Sequence, residues 1–219
     1  MNLQLFAHPF SSYSQKVLIA LYENDTPFQY RMLSPEHPDN LAEFARRWPI
    51  ARFPLLVDGD RQVEETSLII EHLQRHHPGP VALLPADPGA ALPVRRLDRL
   101  FDLYVSTPMQ KIVLDHLRPE SERDGHGVEQ ARQRLDTAYA WLDTELGERR
   151  WACGASFTLA DCAAAPALFY ADWVQPIDAS LERLRGYRAR LLAHPSVARA
   201  VDEARPYREL FPPGAPDRD

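Results

Sequence analysis

Apolar and polar positions change their pattern near residue 78. Before that point, short apolar runs alternate with stretches of helical spacing. Leu3, Leu5 and Ala7 alternate along Asn2–His8 and predict a strand. Pro9-Phe10-Ser11-Ser12 breaks it, and Val17, Leu18, Leu21 and Tyr22 recur at helical spacing over Ser14–Asn24. Phe28–Leu33 reads as a second strand and Leu41–Arg47 as a short helix. Phe53–Val57 and Arg61–Val63 flank Asp58-Gly59-Asp60, where an Asp-Gly step favours the positive φ of a tight hairpin turn. Thr66–His77 then predicts a helix with Leu68, Ile69, His72 and Leu73 along one side.

The order β-α-β-α-β-β-α limits the topology to a small sheet covered by helices. A four-stranded thioredoxin-like α/β domain over residues 1–78 is the economical solution. Residues 79–91 carry proline and glycine at linker density, beginning beside Pro78 and continuing through Gly79-Pro80 to Pro85, Pro88 and Gly89. Residues 92–219 predict an all-α bundle: Leu92–Leu117, kinked or divided at Pro108, then Val128–Leu146, Leu159–Val174, Leu181–Leu192 and Val197–Ala204. The tail Pro212-Pro213-Gly214-Ala215-Pro216 reads as loose.

Composition narrows the function classes. The 219 residues are 45% hydrophobic and 26% charged, an ordinary globular balance. The net charge of −6 comes with no basic stretch, which argues against nucleic acid or anionic lipid as partners. Cys153 and Cys162 make neither a disulfide framework nor a Cys-x-x-Cys motif, and point to a reducing compartment. The most apolar run, Cys162–Val174, is interrupted by Pro166 and Asp172 and is too short to span a bilayer. The opening residues show no basic n-region of an export signal. The expectation is a cytoplasmic protein with no membrane partner.

Four constellations carry candidate chemistry. Ser11-Ser12-Tyr13-Ser14 stands where the first strand passes into the first helix; one serine caps the helix, or a hydroxyl there serves a bound anion. Arg52-Phe53-Pro54-Leu55 places a proline at the start of a buried strand, and trans is the common isomer for such a bond. Glu65-Thr66-Ser67 opens a helix whose N–H groups suit a carboxylate, with Glu65 placed for an ammonium group, or simply caps it. Thr158-Leu159-Ala160-Asp161 is a capping box and reads as structural. His72, His76 and His77 lie close in sequence, but His76 and His77 face different sides of a helix, and the group reads as a solvated helix end rather than a metal site.

Together these residues resemble the cytosolic glutathione S-transferase family over nearly the whole chain. Its members join a thioredoxin-like domain to a helical one, with the break where this chain changes pattern. Ser11 through Leu21 looks like the serine-type segment of the zeta, theta and tau classes, in which the catalytic serine precedes by six residues the valine of a Val-x-Ile-Ala-Leu run; that position is Ser11. Trp48-Pro49-Ile50-Ala51-Arg52-Phe53-Pro54 is similar to the family's Asn-Pro-x-Gly-Lys-Val-Pro. The resemblance implies a cis bond before Pro54, backbone pairing of Phe53 with the cysteinyl unit and Arg52 facing the glycyl carboxylate. Glu65-Thr66 matches the Glu-Ser pair that grips the γ-glutamyl end.

The resemblance implies glutathione as co-substrate, no metal, a homodimer and a small electrophilic substrate. A free thiol has a pKa near 8.5, and lowering it by about two units takes roughly 2.7 kcal/mol of preferential anion stabilisation. One charge-assisted hydrogen bond from Ser11, aided by the helix terminus, is of that size. Tyr104, Met109 and Trp173 are the expected walls of the electrophile pocket. Asp98 and Asp102 either reach a partner subunit's glutathione ammonium or are solvated helix residues. Maleylacetoacetate-type isomerisation and a non-catalytic binding module of the same fold are the alternatives.

Overall fold

The structure, a computed structural model, describes residues 3–219, so the predicted strand position Asn2 lies outside it. Strands β1 (Leu3–Ala7), β2 (Gln29–Met32), β3 (Leu55–Asp58) and β4 (Arg61–Val63) form one sheet in the order β2-β1-β3-β4. β1 runs parallel to β2 and antiparallel to β3, with Leu5 opposite Tyr30 on one side and Leu56 on the other. Side chains alternate across the sheet. Leu3, Leu5, Ala7 and Leu56 face the main core, while Phe6, Leu55 and Val57 form a second core with Leu33 and Phe44.

Three helices belong to this half: α1 (Ser12–Glu23), α2 (Pro38–Arg47) and α3 (Thr66–His76). α2 supplies Phe44 to the second core; α1 and α3 supply Val17, Leu18, Leu21, Ile69, Ile70 and Leu73 to the first. Leu68, expected on the buried side of α3, is 57% exposed; the buried face passes through Ile69, Ile70 and Leu73 instead. In the hairpin, Asp58 pairs with Arg61, so Gly59 and Asp60 make the two-residue turn and Gly59 carries the positive φ of 59°. The left-handed residue is thus the first of the loop, the position where glycine is preferred in a type II′ turn.

The connection to the second half is anchored. Asn24 Oδ1 accepts the Val81 N–H at 2.8 Å, and a Cβ on Gly79 would meet that same oxygen at 2.3 Å. Helix α4 (Pro88–Leu100) begins inside the span expected to be linker, because Asp87 accepts the Ala90 N–H at 2.7 Å and Pro88 suits a first turn. A π-helical turn over Phe101–Ser106 leads into α5 (Thr107–Asp115). The expected division at Pro108 takes this form: proline offers no N–H and crowds the preceding turn, and the wider π turn accommodates it in an otherwise continuous rod. Helices α6 (Gly125–Leu146), α7 (Leu159–Val174), α8 (Glu182–Leu192) and α9 (Pro195–Ala204) complete the bundle.

Every residue of α7 is buried, and its alanines pack in one core with α1. Its N-terminus carries the expected capping box, and Asp161 also accepts from Ala152 N at 2.8 Å and Tyr187 Oη at 2.7 Å. The tail is pinned rather than loose. Phe211 is buried against Phe10, Tyr170 and Trp173, Arg218 binds the Asp172 carboxylate, and Asp219 binds Arg205 and Arg208. A buried carboxylate on α7 needs a cation, and the tail supplies one. Among the described residues, no helix is long and apolar enough to cross a membrane.

Candidate active site

A cleft of about 470 Å³ opens between the sheet half and the α4–α5 rod. On the sheet side it is lined by Ser11, Tyr13, Trp48, Ala51, Arg52, Phe53, Pro54, Glu65 and Thr66. Two helix N-termini therefore point at one space. Ser11 is the N-cap of α1; its Oγ accepts the Ser14 N–H at 3.3 Å, which leaves its own proton free to donate into the cleft. No acidic residue in the first turn of α1 offsets the helix's positive end. Of the three neighbouring serines, Ser11 alone lines the cleft. Ser14 is fully buried and accepts the His8 N–H, and Ser12 is the first residue of the helix.

The turn carrying Ser11 is held from the other half of the molecule. Gln15 Nε2 donates to Pro9 O and to Tyr170 Oη, each at 3.0 Å, and Tyr170 Oη donates to Phe10 O at 2.9 Å. Phe10 in turn packs edge-on against Tyr170. At the next position along the cleft, the Phe53–Pro54 peptide bond is cis. Ala51 and Glu65 flank it in space with left-handed backbone, φ 55° and 65°. Neither is glycine, and such conformations cost about 1–3 kcal/mol each where the surroundings impose them. Glu65 is the N-cap of α3 and its side chain makes no capping bond, so the first-turn N–H groups beside the buried Thr66 are free to meet a ligand.

The helical side is a single stripe: Arg99, Leu103, Thr107, Gln110 and Leu114, with Asp102 at its base. Burial, together with Asp102 and Glu65, pushes the Tyr13 phenol up to about 12, so it enters the cleft as a proton donor. Behind Asp102 lies a buried ion cluster. Lys16 Nζ is 2.6 Å from Asp98 Oδ1 and 2.7 Å from Asp102 Oδ2, and Ser67 Oγ donates to Asp98 Oδ2 at 2.7 Å. Burial, reinforced by Asp98, raises Asp102 above the ordinary carboxylate value although Lys16 opposes it.

The expectation that Asp98 and Asp102 are solvated helix residues is therefore corrected. Both are buried and join the halves through Lys16, and Asp102 also reaches the floor of the cleft. None of the three residues expected to wall the electrophile pocket lines this cleft. Met109 is 4% exposed in the core, and Trp173 packs with Phe10, Phe169, Tyr170 and Phe211 behind the Ser11 turn. Tyr104 lines a separate apolar groove with Leu100, Ala138 and Trp141. Tyr104 and Met109 are each one residue away from the cleft-lining stripe at Leu103 and Gln110, about 100° of helix rotation. The π turn shifts that phase midway, with the Thr107 N–H reaching back to Asp102 O. A mixed polar and apolar row at spacings of three and four is the signal that finds the stripe.

Comparison with known proteins gives a consistent class. Residues 5–81 match the model of the glutathione S-transferase N-terminal domain, and residues 125–190 that of the C-terminal domain. The chain is 30% identical over 205 residues to human glutathione S-transferase theta-2B, covering 88% of this chain and 79% of that protein. It is 31% identical over 172 residues to a stringent starvation protein A homolog of Coxiella burnetii, covering 76% and 75%. A glutathione S-transferase from Methylobacterium radiotolerans, solved in complex with glutathione sulfonate, superposes with a TM-score of 0.79 at 30% identity, covering 92% of this chain and 95% of that one. The chain belongs to the glutathione S-transferase family.

Proposed function

We propose that the cleft binds glutathione and that Ser11 donates a hydrogen bond to its sulfur, holding it as a thiolate that attacks a small electrophile. The observation that carries this reading is the Ser11 hydroxyl at the N-terminus of α1, its lone pair occupied by Ser14 N–H and its proton unassigned. The cysteinyl backbone pairs with Phe53 beside Pro54. The γ-glutamyl carboxylate meets Thr66 and the free N–H groups of α3, with Glu65 taking its ammonium group, and Arg52 faces the glycyl carboxylate. A zwitterionic tripeptide suits a cleft that carries Arg52 and Arg99 as well as Glu65 and Asp102. The electrophile rests on Leu103, Thr107, Gln110 and Leu114.

The test is an ultraviolet titration of bound glutathione. The expected thiol pKa lies about two units below the free value near 8.5, and returns toward it in Ser11→Ala. An unshifted thiol in the unmodified protein overturns the mechanism. The second reading is a non-catalytic binding module of the same fold; the relatives include a protein named otherwise than as a glutathione S-transferase, the stringent starvation protein A homolog. Retention on immobilised glutathione and turnover of a generic aryl halide favour the enzyme; failure of both favours the module. Isomerisation of a maleylacetoacetate-type substrate uses the same thiolate and is read from a substrate panel. The reading includes a homodimer, whose expected mass by light scattering is twice the 25.0 kDa of the chain.

A further inference from the structure

At the far end of α3 from the cleft, a second cluster gathers where the helix meets the β3–β4 hairpin. Asp58 Oδ2, at the hairpin tip, accepts from His72 Nε2 at 2.9 Å and from His77 Nε2 at 2.8 Å. One oxygen and two ring nitrogens lie within 4.8 Å of one another. Five residues apart on a regular helix, His72 and His77 would diverge by about 140°. They converge because the helix ends at His76 and His77 leaves it with φ −134°. The side chains are 20%, 11% and 12% exposed for Asp58, His72 and His77, so the cluster is sheltered on the protein side and open to water at its mouth.

We propose that Asp58, His72 and His77 form a binding site for a divalent transition ion of the zinc class, with water completing the shell. Two imidazoles and one carboxylate are a zinc donor set, with bonds of about 2.0–2.2 Å and a fourth position left open. In a tetrahedral shell of that size, donor atoms stand about 3.3–3.5 Å apart. The O···N separations here need to widen by roughly half an ångström, a small rotation of three side chains. On ligation each neutral ring moves its proton from Nε2 to Nδ1. His77 Nδ1 is buried and without a partner, so the shift breaks no hydrogen bond there but leaves that N–H to be met by water, a cost the metal bond must exceed. Asp58 supplies the negative charge; His76, whose Nε2 sits 3.1 Å from Arg61 Nη1, belongs to a different pair and is outside the set. The site clamps the hairpin to the C-terminal end of α3 and does not depend on the reading of the cleft.

The expectation that these histidines make only a solvated helix end is the alternative, and metal titration separates the two. The untagged, metal-stripped full chain is titrated with Co²⁺ and then with Zn²⁺. The expected result is one saturable equivalent with the visible absorption of a tetrahedral cobalt site, displaced by Zn²⁺ with a Kd of about 1–10 μM. His72→Ala and His77→Ala are each expected to abolish the cobalt bands and weaken zinc by at least about 30-fold, while His76→Ala stays within about threefold. Circular dichroism confirms that the variants are folded. No saturable site in the unmodified protein below about 1 mM metal overturns the proposal, whatever the variants do. So does a site that survives His72→Ala and His77→Ala combined.

Discussion

On the sheet side of the cleft, Ser11, the cis bond before Pro54 and Glu65–Thr66 offer backbone groups and short hydroxyls. On the helical side, Arg99, Leu103, Thr107, Gln110 and Leu114 offer longer side chains from one stripe of a rod. The first wall is made by where helices start and how the chain turns, and only a few residue types permit those shapes. The second is made by rotation of a helix, and almost any residue fits a stripe. A wall of the first kind suits a constant ligand; one of the second kind suits a variable one. The Lys16–Asp98–Asp102 cluster is the seam between them.

The seam gives the largest expected effect. Lys16→Met leaves two carboxylates buried without their cation and is expected to cost about 3–5 kcal/mol in urea unfolding. Adding Asp98→Asn is expected to recover part of that loss; no recovery breaks the claim that charge, rather than packing, joins the walls. Ser11→Ala is expected to lower kcat/KM about 10- to 100-fold for every electrophile alike, the size of one hydrogen bond to a charged group. Thr66→Val is expected to raise the KM for glutathione about five- to tenfold with kcat nearly unchanged, since the proposed pose sets it against the end of the ligand remote from sulfur. Leu103→Ala is the gentlest: about a threefold to tenfold rise in KM for an apolar electrophile and no change for glutathione. Equal effects of Leu103→Ala on both substrates would erase the distinction between the walls.

Residues forced by local backbone chemistry were readable in the chain. Ser11 combines the capping hydroxyl with the register of the following Val17–Leu21 run, and Glu65-Thr66 stands at a helix start; both line the cleft. Tyr104, Met109 and Trp173 were not placed by the same reasoning, because an aromatic or methionine on a helix reads alike whether it faces a cleft, a groove or the core. Lys16 carried no local sign of burial, although Lys16 and Lys111 are the only lysines among 25 basic residues. Its partners arrive from α4 and the π turn, far along the chain. Asp58 likewise meets His72 and His77 only because a hairpin tip folds against a helix end.

The amino-acid sequence alone determined the element order, the change from mixed sheet to helices, the capping box at Thr158–Asp161 and the hydroxyl at the mouth of α1. Each of these depends on interactions within a few residues, where periodicity, proline and capping chemistry leave little choice. Only the tertiary structure decided the rotation of the α4–α5 rod, the burial of Lys16 between two aspartates, the capture of the tail by Asp172 and the meeting of Asp58 with two histidines. Those depend on the angle at which one element packs against another, and that angle is set by the summed shape of the core rather than by any residue pattern within a single segment.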